Sequence, residues 1–132
     1  MFYHEVDVGM GDTDTTGVLF FPVQFAFAMR AFEAFLSSQG MPLSKLFQTP
    51  YLLPIVHAEG DYKKPLFVGD RLKICIEKKE KGISSLTFFY SLKRGEEEVG
   101  RVKLVHVLID RRTRQKTEWP PELSLDCFRN SS

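Results

Sequence analysis

An acidic loop directly ahead of a strongly apolar segment carries the residues best placed to do chemistry. Residues 11–17 hold Asp14 among small, turn-forming residues, and from Pro22 to Leu36 the chain is mostly apolar. Proline suits the first turn of a helix, so we expect a helix to begin near Phe21 or Pro22. The first backbone N–H groups of a helix lack partners within it and can stabilise a developing oxyanion. Asp14 would supply a carboxylate near the same point, able to attack a carbonyl or to act as a general base.

These groups need a long helix to position them. The pattern predicts a helix over residues 22–39, ended by Gly40. Its polar side chains, which include Arg30 and Glu33, form one narrow stripe. A helix that is apolar around most of its circumference must be covered by other elements, and only strands remain in the chain to cover it.

Alternating apolar residues predict five strands around that helix. The predicted strands fall within residues 2–10, 53–63, 71–79, 84–92 and 99–109. Short turns separate the last four, which predicts an antiparallel meander. The order β–α–β–β–β–β therefore predicts an α+β fold in which a curved five-stranded antiparallel sheet wraps one long helix. We interpret residues 1–132 as a single domain, with 111–132 as a less regular tail.

Composition argues against several classes of function. The 132 residues carry 18 Lys and Arg against 17 Asp and Glu, so the net charge of +1 creates no overall field for nucleic acid. No apolar run is long enough for a membrane span, and the N-terminus lacks the features of a signal peptide. Cys75 and Cys127 lie far apart without metal-ligand spacing, which predicts reduced thiols, a cytoplasmic location and no metal site.

Two motifs resemble those of hotdog-fold acyl-CoA thioesterases. Residues 11–22 read Gly-Asp-Thr-Asp-x-x-Gly-Val-x-x-x-Pro, and residues 61–70 read Asp-Tyr-x-x-Pro-Leu-x-x-Gly-Asp. The resemblance covers roughly residues 4–110 and is to the 4-hydroxybenzoyl-CoA branch, which includes 1,4-dihydroxy-2-naphthoyl-CoA thioesterases. It implies a hotdog fold and hydrolysis of an acyl-CoA to the free acid and coenzyme A. No cofactor is implied, because coenzyme A is part of the substrate.

The resemblance also implies roles for particular residues. The family's catalytic carboxylate falls on Asp14, and its carbonyl-polarising backbone N–H falls on Phe21. The Tol-Pal-associated members have a histidine at the position of Phe21. The hydroxybenzoyl enzymes have an aromatic residue followed by proline, as this chain does, which favours an aromatic acyl group. Substrate contacts are expected at Gly17, Phe20, Pro22, His57, Lys81 and Ser84, the last two near the phosphates of coenzyme A.

Several alternatives remain open for the site. Glu33 is a rival catalytic acid, because a sister branch places its carboxylate on the central helix, although that branch's His-Gly-Gly motif is absent here. His57 could contact the acyl group or be a satisfied, partly buried residue, and we expect His106 to lie in the core or an interface. A hydratase of this fold would need an Asp-x-x-x-x-His pairing, which is not visible.

Substrate and assembly also admit more than one answer. The acyl group could be a short chain, and the protein could instead bind acyl groups or act as a scaffold without catalysis. A single sheet around one helix leaves a strand edge and an apolar rim exposed. The family resemblance implies that two protomers join their sheets with the active sites at the interface. We therefore expect a homodimer at least, and a dimer of dimers as the favoured assembly.

Overall fold

The computed structural model describes residues 1–123 and consists of a long helix packed on a curved antiparallel sheet. Its helices are α1 (Val23–Ser38) and α2 (Leu43–Leu46), with 3₁₀ turns at Met10–Asp12 and Pro121–Leu123. Its strands are β1 (Phe2–Asp7), β2 (Tyr51–Leu52), β3 (Ile55–Tyr62), β4 (Arg71–Lys81), β5 (Ser85–Arg94), β6 (Glu97–Val107) and β7 (Ile109–Asp110).

Five of these strands form the main sheet, in the order β1-β4-β5-β6-β3, and every neighbouring pair is antiparallel. This arrangement confirms the predicted five-stranded sheet around one helix. Irregular registers interrupt the pairings of β3, β4 and β5, and such bulges bend a sheet so that it can curve around a helix. β2 and β7 form a separate two-stranded ribbon. The ribbon was not predicted, because strands of two residues are too short to show alternation.

The core lies between α1 and the concave face of the sheet. Phe27, Ala28, Ala31 and Leu36 of α1 are fully buried. On β5 the alternate residues Leu86, Phe88, Tyr90 and Leu92 are fully buried on the face predicted from the period-two pattern. The opposite face of the sheet carries ion pairs, such as Arg101 with Glu77 at 2.9 Å.

The ends of α1 agree with the sequence signals to within one residue. The helix begins one residue after Pro22 and ends at Ser38. Gly40 follows with a φ of +80°, a left-handed conformation that favours glycine and lets the chain leave the helix axis. Neither α1 nor any other helix within residues 1–123 is long and apolar enough to cross a bilayer.

Two glycines allow the first turn of α1 to pack closely on the sheet. The Gln24 side chain is 2% exposed and lies against Gly60 of β3 and Gly100 of β6. A Cβ atom on Gly60 would lie 3.0 Å from Gln24 Nε2 and 2.9 Å from the Arg101 carbonyl oxygen. A Cβ atom on Gly100 would lie 3.0 Å from Gln24 Oε1. The missing side chains therefore make room for Gln24 and allow the start of α1 to approach this end of the sheet closely.

β3 is an edge strand that is largely exposed to solvent. Within residues 1–123 it pairs only with β6, which leaves its other edge without a partner strand. Six of its eight residues are exposed, among them Val56, whose exposed fraction is 57%. An exposed strand of this length with an unpaired edge is a ready surface for pairing with another strand.

Between residues 111 and 123 the C-terminal segment forms only turns, an isolated bridge and a 3₁₀ turn. Ile109 forms an isolated bridge with Lys116, and the indole N–H of Trp119 donates to the carbonyl of Ser85 at 3.3 Å. The rest of the predicted tail, including Cys127, lies outside the described residues.

Candidate active site

The acidic loop folds back on itself as a narrow hairpin. The amide of Asp14 donates to the carbonyl of Val18 at 3.0 Å, and the amide of Phe20 donates to the carbonyl of Asp12 at 2.9 Å. At the tip, Gly17 has a φ of +81° and its amide donates to the carbonyl of Asp14 at 3.1 Å. Since these bonds tie the two arms together, Asp14 and the chain entering α1 belong to one structural unit.

The carboxylate of Asp14 is exposed and accepts two hydrogen bonds from Thr16. Its Oδ1 atom accepts a hydrogen bond of 2.8 Å from the amide of Thr16 and a second from the Thr16 hydroxyl. The hydroxyl bond, followed by the amide bond, lowers the pKa of Asp14 below its usual value. Asp14 is therefore ionised at neutral pH, and neither bond to Thr16 engages Oδ2. Asp12 has a structural role instead, because its Oδ2 atom accepts a hydrogen bond from the Gly9 amide at 2.9 Å.

The backbone N–H of Phe21 is the open donor at the start of α1. Pro22 has no N–H, and the amides of the next three residues already donate to the carbonyls of Phe20, Phe21 and Pro22. Within the described part of the chain, the N–H of Phe21 has no acceptor. A donor left open at a helix N-terminus, where the helix dipole adds partial positive charge, can stabilise an oxyanion.

Two aromatic side chains stand exposed beside this amide. The rings of Phe20 and Phe21 lie 5.9 Å apart between centroids, and the two residues are 50% and 57% exposed. Exposed apolar area of this kind at a polar site marks a surface that becomes covered by a ligand or a second chain. Phe20 and Pro22 are the chain neighbours of this amide, and their contact with substrate stays a prediction.

The second motif supports the first. The amide of Leu19 donates to the carbonyl of Leu66 at 2.7 Å, and Leu66 in turn donates its own amide to the Tyr62 hydroxyl at 3.0 Å. Asp70 accepts a bond from the Phe67 amide at 2.9 Å, which closes the turn after β3. The two motifs found in the sequence thus form one unit, in which residues 62–70 hold the loop that carries Asp14.

An apolar cavity of about 250 Å³ lies elsewhere on the protomer, between the middle of α1, α2, β2 and the start of β3. It is lined by Met29, Arg30, Phe32, Glu33, Leu43, Leu46, Phe47, Tyr51, Leu52, Leu53, Ile55 and His106. At about 1.5 Å per helical residue, the cavity residues Met29 and Glu33 lie roughly 9 Å and 15 Å along α1 from Val23, its first residue. The cavity is therefore set back along α1 from the loop that carries Asp14. Glu33, the rival acid, is an exposed residue of its wall.

His106 forms part of the cavity wall and is only 3% exposed. Its Nδ1 atom lies 3.1 Å from the carbonyl oxygen of Leu53, and its ring stacks on Phe32 with centroids 4.6 Å apart. Burial lowers the pKa of His106, and the bond to Leu53 opposes that effect. The position agrees with the core location expected for this residue. Its contact with the cavity was missed, because residues distant in the chain form the other walls.

Comparison with known proteins now identifies the family. A model of the thioesterase-like superfamily matches residues 8–125. This chain belongs to the thioesterase-like superfamily. A 1,4-dihydroxy-2-naphthoyl-CoA hydrolase from Synechococcus elongatus is 32% identical over 118 residues, which cover 88% of this chain and 87% of that protein. The thioesterase resemblance inferred from the two motifs is thereby confirmed.

Solved structures of related proteins agree with the fold of this thioesterase-like chain. A crystal structure of a 1,4-dihydroxy-2-naphthoyl-CoA thioesterase from Synechocystis matches with a TM-score of 0.83 and 29% identity, over 90% of this chain and 89% of that one. The crystal structure of a protein from Aquifex aeolicus matches with a TM-score of 0.90 at 23% identity, over 98% and 100% of the two chains. The predicted hotdog fold is confirmed.

The remaining predicted site residues of this thioesterase family member lie away from Asp14. His57 is exposed rather than partly buried, and its Nε2 atom lies 3.1 Å from Glu59 on the edge strand β3. Lys81 and Ser84 lie around the β4–β5 turn. Lys79 of β4 contacts the ring of Phe35, near the far end of α1 from Phe21.

One protomer therefore assembles only part of the predicted set. It brings together Asp14, Gly17, Phe20, Phe21 and Pro22, and it does not bring His57, Lys81 or Ser84 to them. The division follows the chain: the first group comes from one loop and one helix start, whereas the second comes from the sheet and its far turn.

Proposed function

We propose that this protein hydrolyses an aromatic acyl-CoA, of the hydroxybenzoyl or dihydroxynaphthoyl kind, to the free acid and coenzyme A. The observation that carries the proposal is that one hairpin carries both the ionised Asp14 carboxylate and the open N–H of Phe21. The names of the related 1,4-dihydroxy-2-naphthoyl-CoA hydrolases support this class of acyl group.

The two groups divide the chemistry between them. The thioester carbonyl oxygen accepts a hydrogen bond from Phe21 N–H, which stabilises the oxyanion as the carbonyl carbon becomes tetrahedral. Asp14 attacks that carbon, the thiolate of coenzyme A leaves, and water then hydrolyses the anhydride. The alternative is that Asp14 removes a proton from the attacking water. Both roles require an ionised carboxylate, and the lowered pKa of Asp14 keeps it ionised at neutral pH.

A second copy of the chain completes the site. The unpaired edge of β3 and its exposed side chains suit antiparallel pairing with the same strand of another protomer. This pairing would join two sheets into one and cover the exposed edge. A dimer, and a dimer of dimers built from it, remains our proposal for the assembly.

Twofold symmetry would place the cavity of one protomer beside the carboxylate of the other. The start of α1 lies over Gly60, in the second half of β3, whereas the cavity touches Ile55 at the beginning of that strand. When two copies of β3 pair antiparallel, the first half of one lies beside the second half of the other. The acyl group then extends from Phe21 into the cavity of the partner subunit.

The cavity suits an aromatic acyl group better than a short chain. Its wall is mostly apolar and aromatic, and its volume of about 250 Å³ would be left largely empty by an acetyl-sized group. Lys81 and Ser84, remote from Asp14 in their own protomer, are our candidates for contacts with the phosphates of coenzyme A bound at the partner's Asp14. His57, on the pairing strand, is a candidate contact at the junction. The cytoplasm remains our prediction for the compartment.

A matched pair of carboxylate variants tests the proposal. Asp14→Asn and Glu33→Gln are assayed with hydroxybenzoyl-CoA, dihydroxynaphthoyl-CoA and acetyl-CoA, using a thiol reagent to detect free coenzyme A. We expect Asp14→Asn to lower kcat by about 10²-fold or more, as for the loss of a catalytic acid or base, and Glu33→Gln to have little effect. Hydrolysis retained by Asp14→Asn would assign the chemistry elsewhere. No turnover of any thioester by wild type would instead support an acyl-binding protein.

A further inference from the structure

One wall residue of the apolar cavity, His106, carries a buried hydrogen-bond acceptor that the described residues leave unsatisfied. Among residues 1–123, the Nε2 atom of His106 is buried and has no hydrogen-bond partner. The exposed fraction of His106 is only 3%, and the residue forms part of the cavity wall. A buried polar atom without a partner is costly, and proteins keep few of them.

The hydrogen bond on the other side of the ring identifies the chemical character of Nε2. The carbonyl oxygen of Leu53 can only accept, so Nδ1 of His106 carries the proton that it donates. Burial of the ring disfavours the doubly protonated form. Nε2 therefore presents a lone pair and no proton, and it can be satisfied only by a donor.

The surroundings restrict the class of ligand that can supply this donor. The ring of His106 is stacked on Phe32, which fixes its plane, and the adjacent wall is formed by Leu46, Leu53 and Ile55. The two charged residues of the cavity wall, Arg30 and Glu33, are exposed, so an ammonium or guanidinium group would be costly to bury beside His106. A flat, uncharged ring that carries a hydroxyl group meets both conditions, because its faces are apolar and its O–H is a donor.

We propose that Nε2 of His106 accepts a hydrogen bond from a hydroxyl group on the aromatic ring of the acyl group, and so selects hydroxylated over unhydroxylated substrates. The identity of the ligand rests on the proposed thioesterase function. The assignment of Nε2 as an open acceptor depends only on the cavity and on the hydrogen bond of the His106 ring to Leu53. His106 is thus a specificity residue, and we expect it to act on KM rather than on kcat.

Two substitutions separate the two nitrogens of the ring. In His106→Asn the side-chain amide can still donate to Leu53 but no acceptor reaches the position of Nε2. In His106→Gln an amide oxygen can replace Nε2 while the donor to Leu53 is lost. Both variants are assayed with dihydroxynaphthoyl-CoA and with the unhydroxylated naphthoyl-CoA, after thermal melting has shown that they fold.

For His106→Asn we expect the KM for the hydroxylated thioester to rise about tenfold or more, with little change for the unhydroxylated one, because one buried partner is lost. We expect His106→Gln to retain most of the preference for the hydroxylated substrate. An equal effect of His106→Asn on both substrates would overturn the proposal and assign His106 a structural role.

Binding of the free acids keeps this test independent of catalysis. Dihydroxynaphthoate and naphthoate are titrated into the wild-type protein, and the ¹⁵N resonance of the unprotonated His106 nitrogen is followed by NMR. We expect the hydroxylated acid alone to move this resonance upfield, as occurs when an imidazole nitrogen accepts a hydrogen bond. If wild type turned over no thioester, the proposed function would fail while this result still tested His106. A resonance unchanged at saturation would overturn the inference even if hydrolysis were confirmed.

Discussion

The carbonyl of Leu66 accepts a hydrogen bond of 2.7 Å from the amide of Leu19, and this contact joins the two motifs of the chain. Leu19 lies in the hairpin arm that follows Asp14, and Leu66 lies in the turn after β3. Leu66 is only 1% exposed and its amide is held by the Tyr62 hydroxyl. The position of the loop that carries Asp14 therefore depends on a turn that belongs to the sheet.

Removing the Tyr62 hydroxyl should loosen the loop that carries Asp14. In Tyr62→Phe the Leu66 amide loses its acceptor, and we expect the free energy of unfolding to fall by about 1–3 kcal/mol. Because small misplacements of reacting groups are costly, kcat should fall by about tenfold to a hundredfold. Chemical denaturation and steady-state kinetics measure the two effects. A kcat equal to wild type would show that the turn does not position Asp14.

The N–H of Phe21 can be removed without breaking any hydrogen bond within residues 1–123, because it donates to none of them. Phe21→Pro lacks this donor, whereas the control Phe21→Leu keeps it and changes only the side chain. We expect Phe21→Pro to lower kcat by about 10²–10³-fold, the usual cost of one oxyanion donor. We expect a much smaller loss in Phe21→Leu. Equal losses in both variants, at unchanged melting temperature, would assign the effect to the aromatic ring instead.

If each active site is built from two protomers, two variants that are inactive alone should restore activity when they form a mixed dimer. Asp14→Asn lacks the carboxylate, and Leu43→Trp fills the cavity at the start of α2. In a mixed dimer one of the two sites combines an intact carboxylate with an intact cavity. Coexpression in equal amounts should therefore restore roughly a quarter of wild-type activity, since half of the dimers are mixed. No recovery in mixed dimers isolated with two affinity tags would contradict a site built from both protomers.

Isotope labelling distinguishes the two roles open to Asp14. In a single turnover in ¹⁸O-water, attack by Asp14 followed by hydrolysis at its own carboxyl carbon leaves the label on the enzyme. We expect the first product to carry little ¹⁸O and a peptide containing Asp14 to gain it, as measured by mass spectrometry. Label wholly in the first product, with none in the Asp14 peptide after many turnovers, would favour general-base catalysis.

Acid should destabilise the fold through Glu98 on the convex face of the sheet. Hydrogen bonds from Lys63 and then Ser91 lower the pKa of Glu98 from 4.5 to about 2. Because the pKa is lower in the folded state, Glu98 stabilises the protein above pH 4.5, and this contribution is lost as the pH falls towards 2. Glu98→Gln should lower the free energy of unfolding at pH 7 by about 1 kcal/mol and flatten its decline in that interval. Glu96→Gln, an exposed neighbour, is the control. Parallel pH profiles for Glu98→Gln and wild type would contradict this assignment.

Elements that depend on local physical chemistry could be predicted from the amino-acid sequence alone. Proline before an apolar run marked the start of α1, Gly40 marked its end, and alternation marked the buried face of β5. The spacing from Asp14 to Phe21 also predicted that a carboxylate and a helix N-terminus share one loop. These features can be predicted from the sequence because each depends on residues only a few positions apart.

Contacts between residues that are distant in the chain could not be predicted in this way, because they depend on how the whole fold packs. Three features join segments that are far apart in the chain. They are the contact of Leu19 with Leu66, the packing of Gln24 against Gly60 and Gly100, and the cavity at His106. The free lone pair of His106 could not be predicted, because it depends on which neighbour takes the other ring nitrogen. The packing of α1 on the curved sheet, which is a long-range property, determines that Leu53 takes this nitrogen.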